Sequence, residues 1–232
     1  LAAIENPISV VAMVGPQRSG KSFIMNCLAG GQRFEVGPNV HACTKGIWMW
    51  ASQPDGGSDD REAVRTILLD TEGLGAVKAS QTVDLRTFGL SVLLSSYFIF
   101  NTHGKIDESA IKQLSFISQM SKAIAIRADG ADEASDFEDA FPHLLWLLRD
   151  FSLSLQGDQG VEMTPTEYLE SSLRTERGIS DDISARNRVR MLLTTFFTHR
   201  DCATLPRPVT DEKELSQLGQ AGSRATFRKS FD

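Results

Sequence analysis

Eight consecutive residues carry the clearest chemistry in the chain: Gly15-Pro16-Gln17-Arg18-Ser19-Gly20-Lys21-Ser22. The G-x-x-x-x-G-K-S spacing suits a polyphosphate. Glycines let backbone N–H groups turn inward without a Cβ clash, and a helix N-terminus adds unpaired donors with partial positive charge. The expected donors run through Gln17, Arg18, Ser19, Gly20, Lys21, Ser22 and Phe23. The Lys21 ammonium suits the β- and γ-phosphates, and the Ser22 hydroxyl suits Mg²⁺.

Three further stretches complete a candidate site. Asp70-Thr71-Glu72-Gly73 closes an apolar run. An aspartate there can hold the Mg²⁺ shell, and the Gly73 N–H can meet the γ-phosphate. Thr44 reads either as a switch threonine, whose hydroxyl meets Mg²⁺ and phosphate, or as an ordinary strand-forming threonine. Arg149-Asp150 follows a second apolar run. A carboxylate there can accept the N1–H and 2-amino donors of guanine, which adenine does not offer in that arrangement. The same pair reads equally as a turn-capping aspartate with an arginine beside it.

The elements that must position these residues alternate. An apolar strand, Ile8 to Val14, enters the phosphate loop, and a helix opens at Phe23. Strands are expected at 47–50, 66–69, 97–101 and 144–148. Helices are expected at 85–94, from an Asp107 cap to about 124, from a capping box at Thr164-Pro165-Thr166-Glu167, and at 186–197. From Cys202 the chain reads as irregular, and the acidic stretch 128–140 as a solvated loop. Alternation with short connections predicts an α/β P-loop NTPase fold: a mostly parallel central sheet flanked by helices, with ligands at the carboxyl ends of the strands.

Composition narrows the class. At 232 residues and 41% hydrophobic, the chain can bury a sizeable core. With 24 Lys and Arg against 30 Asp and Glu, net charge is −6. That leaves no sequence-wide footprint for nucleic acid or an anionic membrane. Three scattered cysteines suggest a reducing, cytoplasmic setting.

Taken together, the phosphate loop, Thr44-Lys45-Gly46-Ile47-Trp48-Met49-Trp50, Leu68-Leu69-Asp70-Thr71-Glu72-Gly73-Leu74-Gly75, Val92-Leu93-Leu94-Ser95-Ser96 and Leu148-Arg149-Asp150-Phe151-Ser152-Leu153 resemble the guanylate-binding proteins, large GTPases of the dynamin superfamily. The resemblance runs from about Ile8 to Val209. It implies GTP as substrate and GDP as product, possible onward cleavage to GMP, Mg²⁺ as cofactor, and Asp150 on the guanine with Arg149 beside it. It implies that Arg18 acts in cis as an arginine finger, and that GTPase domains pair head to head across the nucleotide. Lys45 and Glu72 fall at switch positions, with Glu72 and Thr44 in the catalytic set. Residues 151–172 match a guanine cap. Residues 1–209 then form the GTPase domain, and 210–232 lead toward an absent helical region, through which alone membrane association is expected.

One departure stands out. Ala42-Cys43 occupies the place where the family usually has Ser-His, and the serine there helps to place the attacking water. Two alternatives follow: a nucleotide-dependent binding module with negligible hydrolysis, and an atlastin-like membrane-remodelling GTPase.

Overall fold

The computed structural model describes residues 7–37, 44–53, 63–74, 81–117, 141–157, 160–178, 180–211, 214 and 218. Six strands form one sheet in the order β2-β3-β1-β4-β5-β6. They are β1 (Ile8–Val14), β2 (Ile47–Ala51), β3 (Arg65–Thr71), β4 (Tyr97–His103), β5 (His143–Arg149) and β6 (Arg200–Leu205). All neighbours run parallel except β2, which pairs antiparallel with β3 at one edge. The helices are α1 (Lys21–Leu28), α2 (Gln81–Leu94), α3 (Glu108–Gln113), α4 (Pro165–Ser172) and α5 (Asp181–Phe196).

The central strands β1, β3, β4 and β5 are largely apolar because both faces of the sheet are covered there. Ala12 and Val14 of β1, Ile67 and Leu69 of β3, Phe98 and Phe100 of β4, and Trp146 and Leu148 of β5 pack on one side with α2, α3, α4 and α5. The alternate residues Met13, Leu68, Ile99 and Leu147 point to the other side, against Phe23, Ile24 and Met25 of α1. Val209 and Leu218 are buried in that second cluster, so the packed body continues past position 209. Trp146 is fully buried, and its Nε1 donates to Thr102 Oγ1 at 3.0 Å, which satisfies its one polar atom.

Local signals were read correctly at several starts. Asp107 caps α3, accepting from Ala110 N at 2.9 Å, and the Thr164–Glu167 capping box is formed in full. Three readings change. The helix after Asp107 is interrupted at Leu114 and Ser115 by tighter i→i−3 bonds as Leu114 and Ile117 sink into the core, is helical again at 116–117, and its expected run to about 124 lies outside the described residues. The last helix starts at Asp181 rather than 186: Ser180 caps it, accepting from Ile183 N at 3.3 Å. Its polar first turns are held by Arg186 and Arg190, which pair with Glu108 and Glu176. And 200–205, expected to be irregular, is an edge strand with Cys202 turned into the core. The acidic stretch 128–140 lies outside the described residues.

Candidate nucleotide site

β1 is flanked by β3 and β4, so the loop leaving its carboxyl end has a strand end on either side. The fit is close enough to dictate glycine. A Cβ on Gly15 would stand 2.0 Å from the Asn101 carbonyl oxygen, and one on Gly73 would stand 2.2 Å from Gln17 Cα. Leu74 N donates to Gly15 O at 3.0 Å and Gln17 N donates to Leu74 O at 3.2 Å. The expected phosphate donor Gln17 N–H is therefore taken up by the segment after β3.

Within the loop, Arg18 and Gly20 both adopt left-handed backbone, at φ 62° and 78°. Glycine tolerates this; arginine does so at a cost on the order of 1–2 kcal/mol. Arg18 is exposed at the tip of the turn. Ser19 is buried and closes the turn, its N and Oγ both donating to Pro16 O at 3.4 and 2.9 Å. α1 then begins at Lys21, with Ser22 and Phe23 in its first turn.

Lys21 is only 6% exposed, and its Nζ donates to Pro16 O at 3.0 Å and Gly15 O at 3.4 Å. Burial lowers its pKa from 10.5 to about 8, against the opposing pull of Asp70 and Glu72. Asp70, 1% exposed, accepts from Ser22 Oγ at 2.7 Å and from Thr44 Oγ1 at 2.9 Å, and the two hydroxyls lie 3.2 Å apart. Burial raises the Asp70 pKa, while the hydrogen bonds from Ser22 and Thr44 and the Lys21 charge pull it down. Its other oxygen, Oδ1, is buried without a partner.

That donor set fits Mg²⁺. Two hydroxyls and a carboxylate are hard oxygen ligands, they converge, and an orphaned buried carboxylate oxygen is a place where a cation belongs. Among the described residues no three His, Cys, Asp or Glu side chains gather as a metal site. Glu72 ties the Thr44 segment to the β3 end: its Oε2 accepts from Gly46 N at 3.1 Å, and its own N donates to Gly46 O at 2.8 Å.

The chain matches the family model described as guanylate-binding protein, N-terminal domain, over residues 1–229. The chain belongs to the guanylate-binding protein family. It is 41% identical over 225 residues to guanylate-binding protein 1 of Mus musculus, covering 94% of this chain and 37% of that one. It is 39% identical over 226 residues to guanylate-binding protein 1 of Homo sapiens, with the same coverage. The chain thus spans little more than a third of the curated relatives it matches. A solved structure of Toc33 from Arabidopsis thaliana overlaps at a TM-score of 0.44 and 14% identity, covering 95% of this chain and 87% of that one.

Arg149 ends β5 and Asp150 follows it, and the two side chains go different ways. The arginine is the buried one, at 4% exposure; the Asp150 side chain is 37% exposed, 3.7 Å from His103 Nδ1. Asp150 has left-handed backbone at φ 55°, which turns it away from the strand line. Arg149 Nη1 lies 3.0 Å from where a Gly20 Cβ would stand, so the guanidinium backs directly onto the phosphate loop. Burial lowers the Arg149 pKa, opposed by the Asp150 charge. Arg149 Nε and Nη1 are buried without partners.

Of the stretch 151–172 expected as a guanine cap, residues 151–157 and 160–164 form a connection closed by a bridge between Gln156 and Glu162, and 165–172 is helix α4. Ala42, Cys43 and Gly75 lie outside the described residues. Sequence reasoning missed Asn101, fully buried in the carboxyl half of β4, where its Nδ2 donates to Ser19 O and Ser19 Oγ, each at 2.9 Å. A signal was present: an amide ends the apolar strand 97–101, on the edge of the sheet where ligands sit. No described helix is long and apolar enough to cross a membrane.

Proposed function

We propose that this chain is a GTP-binding and GTP-hydrolysing domain whose packed body takes in Val209 and Leu218. The observation that carries the reading is the convergence of the Ser22 and Thr44 hydroxyls on Asp70, at the head of the helix that Lys21 opens. Ser22, Thr44 and Asp70 would hold Mg²⁺. When bound, the ion neutralises charge on the β- and γ-phosphate oxygens. Lys21 leaves the Pro16 and Gly15 carbonyls for the β- and γ-phosphates. The Gly73 N–H meets the γ-phosphate, and backbone donors from Arg18 to Phe23 line the cradle. Asp150 accepts from the guanine edge, with Arg149 beneath it. Arg18, at the exposed tip of the loop, supplies the charge that stabilises the transferring phosphoryl group. Glu72 and Lys45 order the switch around Thr44, and a second copy of the domain, docked across the nucleotide, fixes that order.

The test is turnover per molecule against protein concentration, with GTP and ATP compared and products separated. Hydrolysis of GTP that climbs with concentration, with ATP untouched, is expected. ATP cleaved as fast as GTP would take Asp150 off the base. One observation favours a second reading, a nucleotide switch with negligible hydrolysis: Ala42 brings no hydroxyl to position water. A rate flat and near zero at every concentration, with GTP still bound, would select it.

The depressed Lys21 pKa gives a pH signature. Between about pH 8 and 10.5 the unfolded chain carries this proton and the nucleotide-free fold does not, so the penalty of the buried amine fades as pH rises through that window. Phosphate oxygens beside Nζ favour the ammonium, so binding takes up a proton above about pH 8. The Kd for GDP should therefore be level to about pH 8, then rise toward about tenfold per pH unit. A Kd unchanged between about pH 7 and about pH 9 would mean that Lys21 is not the group that charges on binding.

A further inference from the structure

We infer that Asn101 is a positioning residue of the phosphate site: its amide aims the Gly20 N–H into the phosphate loop. The inference rests on the proposal that this loop binds the nucleotide's phosphates.

Asn101 is fully buried in β4, the strand beside β1. Its Nδ2 donates to Ser19 O and Ser19 Oγ, each at 2.9 Å. The amide's orientation is fixed chemically, because a carbonyl oxygen only accepts. Ser19 Oγ in turn donates to Pro16 O at 2.9 Å, the same oxygen on which Lys21 Nζ rests at 3.0 Å. A relay thus runs from the Asn101 amide through the Ser19 hydroxyl to Pro16 O. When Lys21 moves to a phosphate, Ser19 still satisfies Pro16 O and the turn stays closed.

The Ser19 carbonyl matters most. In a planar trans peptide the C=O of Ser19 and the N–H of Gly20 point in opposite directions. Anchoring that carbonyl on β4 therefore turns the Gly20 N–H away from the sheet neighbour and toward the loop interior. The constraint is needed because left-handed residues stand on both sides of Ser19, Arg18 at φ 62° and Gly20 at φ 78°. Such backbone persists only where the surroundings over-determine it. Asn101 supplies that from two directions: its side chain holds Ser19, and its own carbonyl oxygen leaves no room for a side chain at Gly15.

Asn101 also keeps an orphan. Its Oδ1 is buried without a partner. An apolar residue would spare the fold that acceptor, so the amide stands there for its donor. On β5, Arg149 presents its unpartnered Nη1 to the Gly20 side of the same peptide. The Ser19–Gly20 unit is therefore gripped from β4 by a hydrogen bond and flanked from β5 by a guanidinium.

The test separates phosphate recognition from general damage by comparing GDP with guanosine, which has no phosphate, for the wild-type chain, Asn101→Ala and Asn101→Asp. Wild type must bind GDP far more tightly than guanosine; if it does not, the phosphate-loop reading fails before Asn101 is at issue. For Asn101→Ala the GDP Kd should rise about 10–100-fold, the scale of a misdirected charge-assisted hydrogen bond, with guanosine changed less than about threefold. Equal losses for both ligands, or an unchanged GDP Kd, would overturn the positioning role. Should Asn101→Ala not fold, Asn101→Asp decides. The ionised carboxylate cannot donate to Ser19 O, but its protonated form can, so GDP affinity should recover relative to guanosine as pH falls. A GDP-to-guanosine ratio as high as wild type at neutral pH, or one that stays low in acid, would refute it.

Discussion

Lys21→Ala should all but abolish nucleotide binding while leaving the fold as stable as before or more so. Binding and stability move apart because of where the amine sits. Lys21 is buried, and its pKa of about 8 shows that burial disfavours its charge. In the nucleotide-free fold Nζ has two backbone carbonyls, at 3.0 and 3.4 Å, and among the described residues no carboxylate within hydrogen-bond range. Removing it relieves a desolvation penalty and leaves Pro16 O still satisfied by Ser19. On the proposed function, the same ammonium would make charge-assisted bonds to phosphate oxygens once nucleotide binds, each on the order of 1.5–3 kcal/mol. Losing two of them weakens binding by roughly 10²- to 10⁴-fold. Thermal shift reads both effects at once. Ligand at 100 times its Kd adds about 2.7 kcal/mol to the wild-type fold. The variant should show an unchanged or higher midpoint without GTP and no upward shift with it. A full shift in the variant would sink the assignment of this loop.

Arg18→Ala carries the second large effect, on the rate rather than on binding. Arg18 lies at the exposed tip of a loop whose shape is fixed by Ser19, Asn101 and the Leu74 contacts, so truncating it leaves the cradle intact. An arginine that stabilises charge on the transferring phosphoryl group is worth about 10³- to 10⁵-fold in turnover. The variant should therefore bind GTP within a few-fold of wild type and hydrolyse it at least about 10³-fold more slowly. Arg18→Lys should not rescue, since a point charge lacks the planar two-donor fork. The left-handed backbone at Arg18 sharpens the reading. Glycine would be the comfortable residue at φ 62°, and the proposed finger role would account for the strain tolerated there. An Arg18→Gly variant should accordingly be slightly more stable and equally inactive. A rate equal to wild type in Arg18→Ala would remove the residue from the reaction.

Much of this was legible because it is encoded over a few residues. The phosphate loop is announced by its own glycines and by the helix that follows. The Asp107 cap and the Thr164–Glu167 box depend on residues three apart. The buried strands declare themselves as apolar runs because the sheet is covered on both faces. What went unread has equally specific causes. Strand β6 is a short edge with polar residues, so its pattern is that of a loop until it lies beside β5. The first turns of α5 are polar, and their order comes from Glu108 and Glu176, distant in sequence. At the base motif, spacing could not say which of the two residues would be buried. The left-handed turn at Asp150 decides that, sending Arg149 inward and Asp150 outward.

A phosphate loop, a strand-end aspartate and an Arg-Asp pair, each leaving the carboxyl end of an apolar strand, can be read from the amino acids alone. These are properties of short windows, set by backbone freedom, helix starts and hydrophobic runs. Which strands are neighbours emerges only once the chain is packed. Placing β1 between β3 and β4 brings Asp70 to Ser22, Gly73 to Gln17 and Asn101 to Ser19. Those pairs are separated by tens of residues, and the order of strands in a sheet is fixed by packing both faces at once, which no local pattern contains.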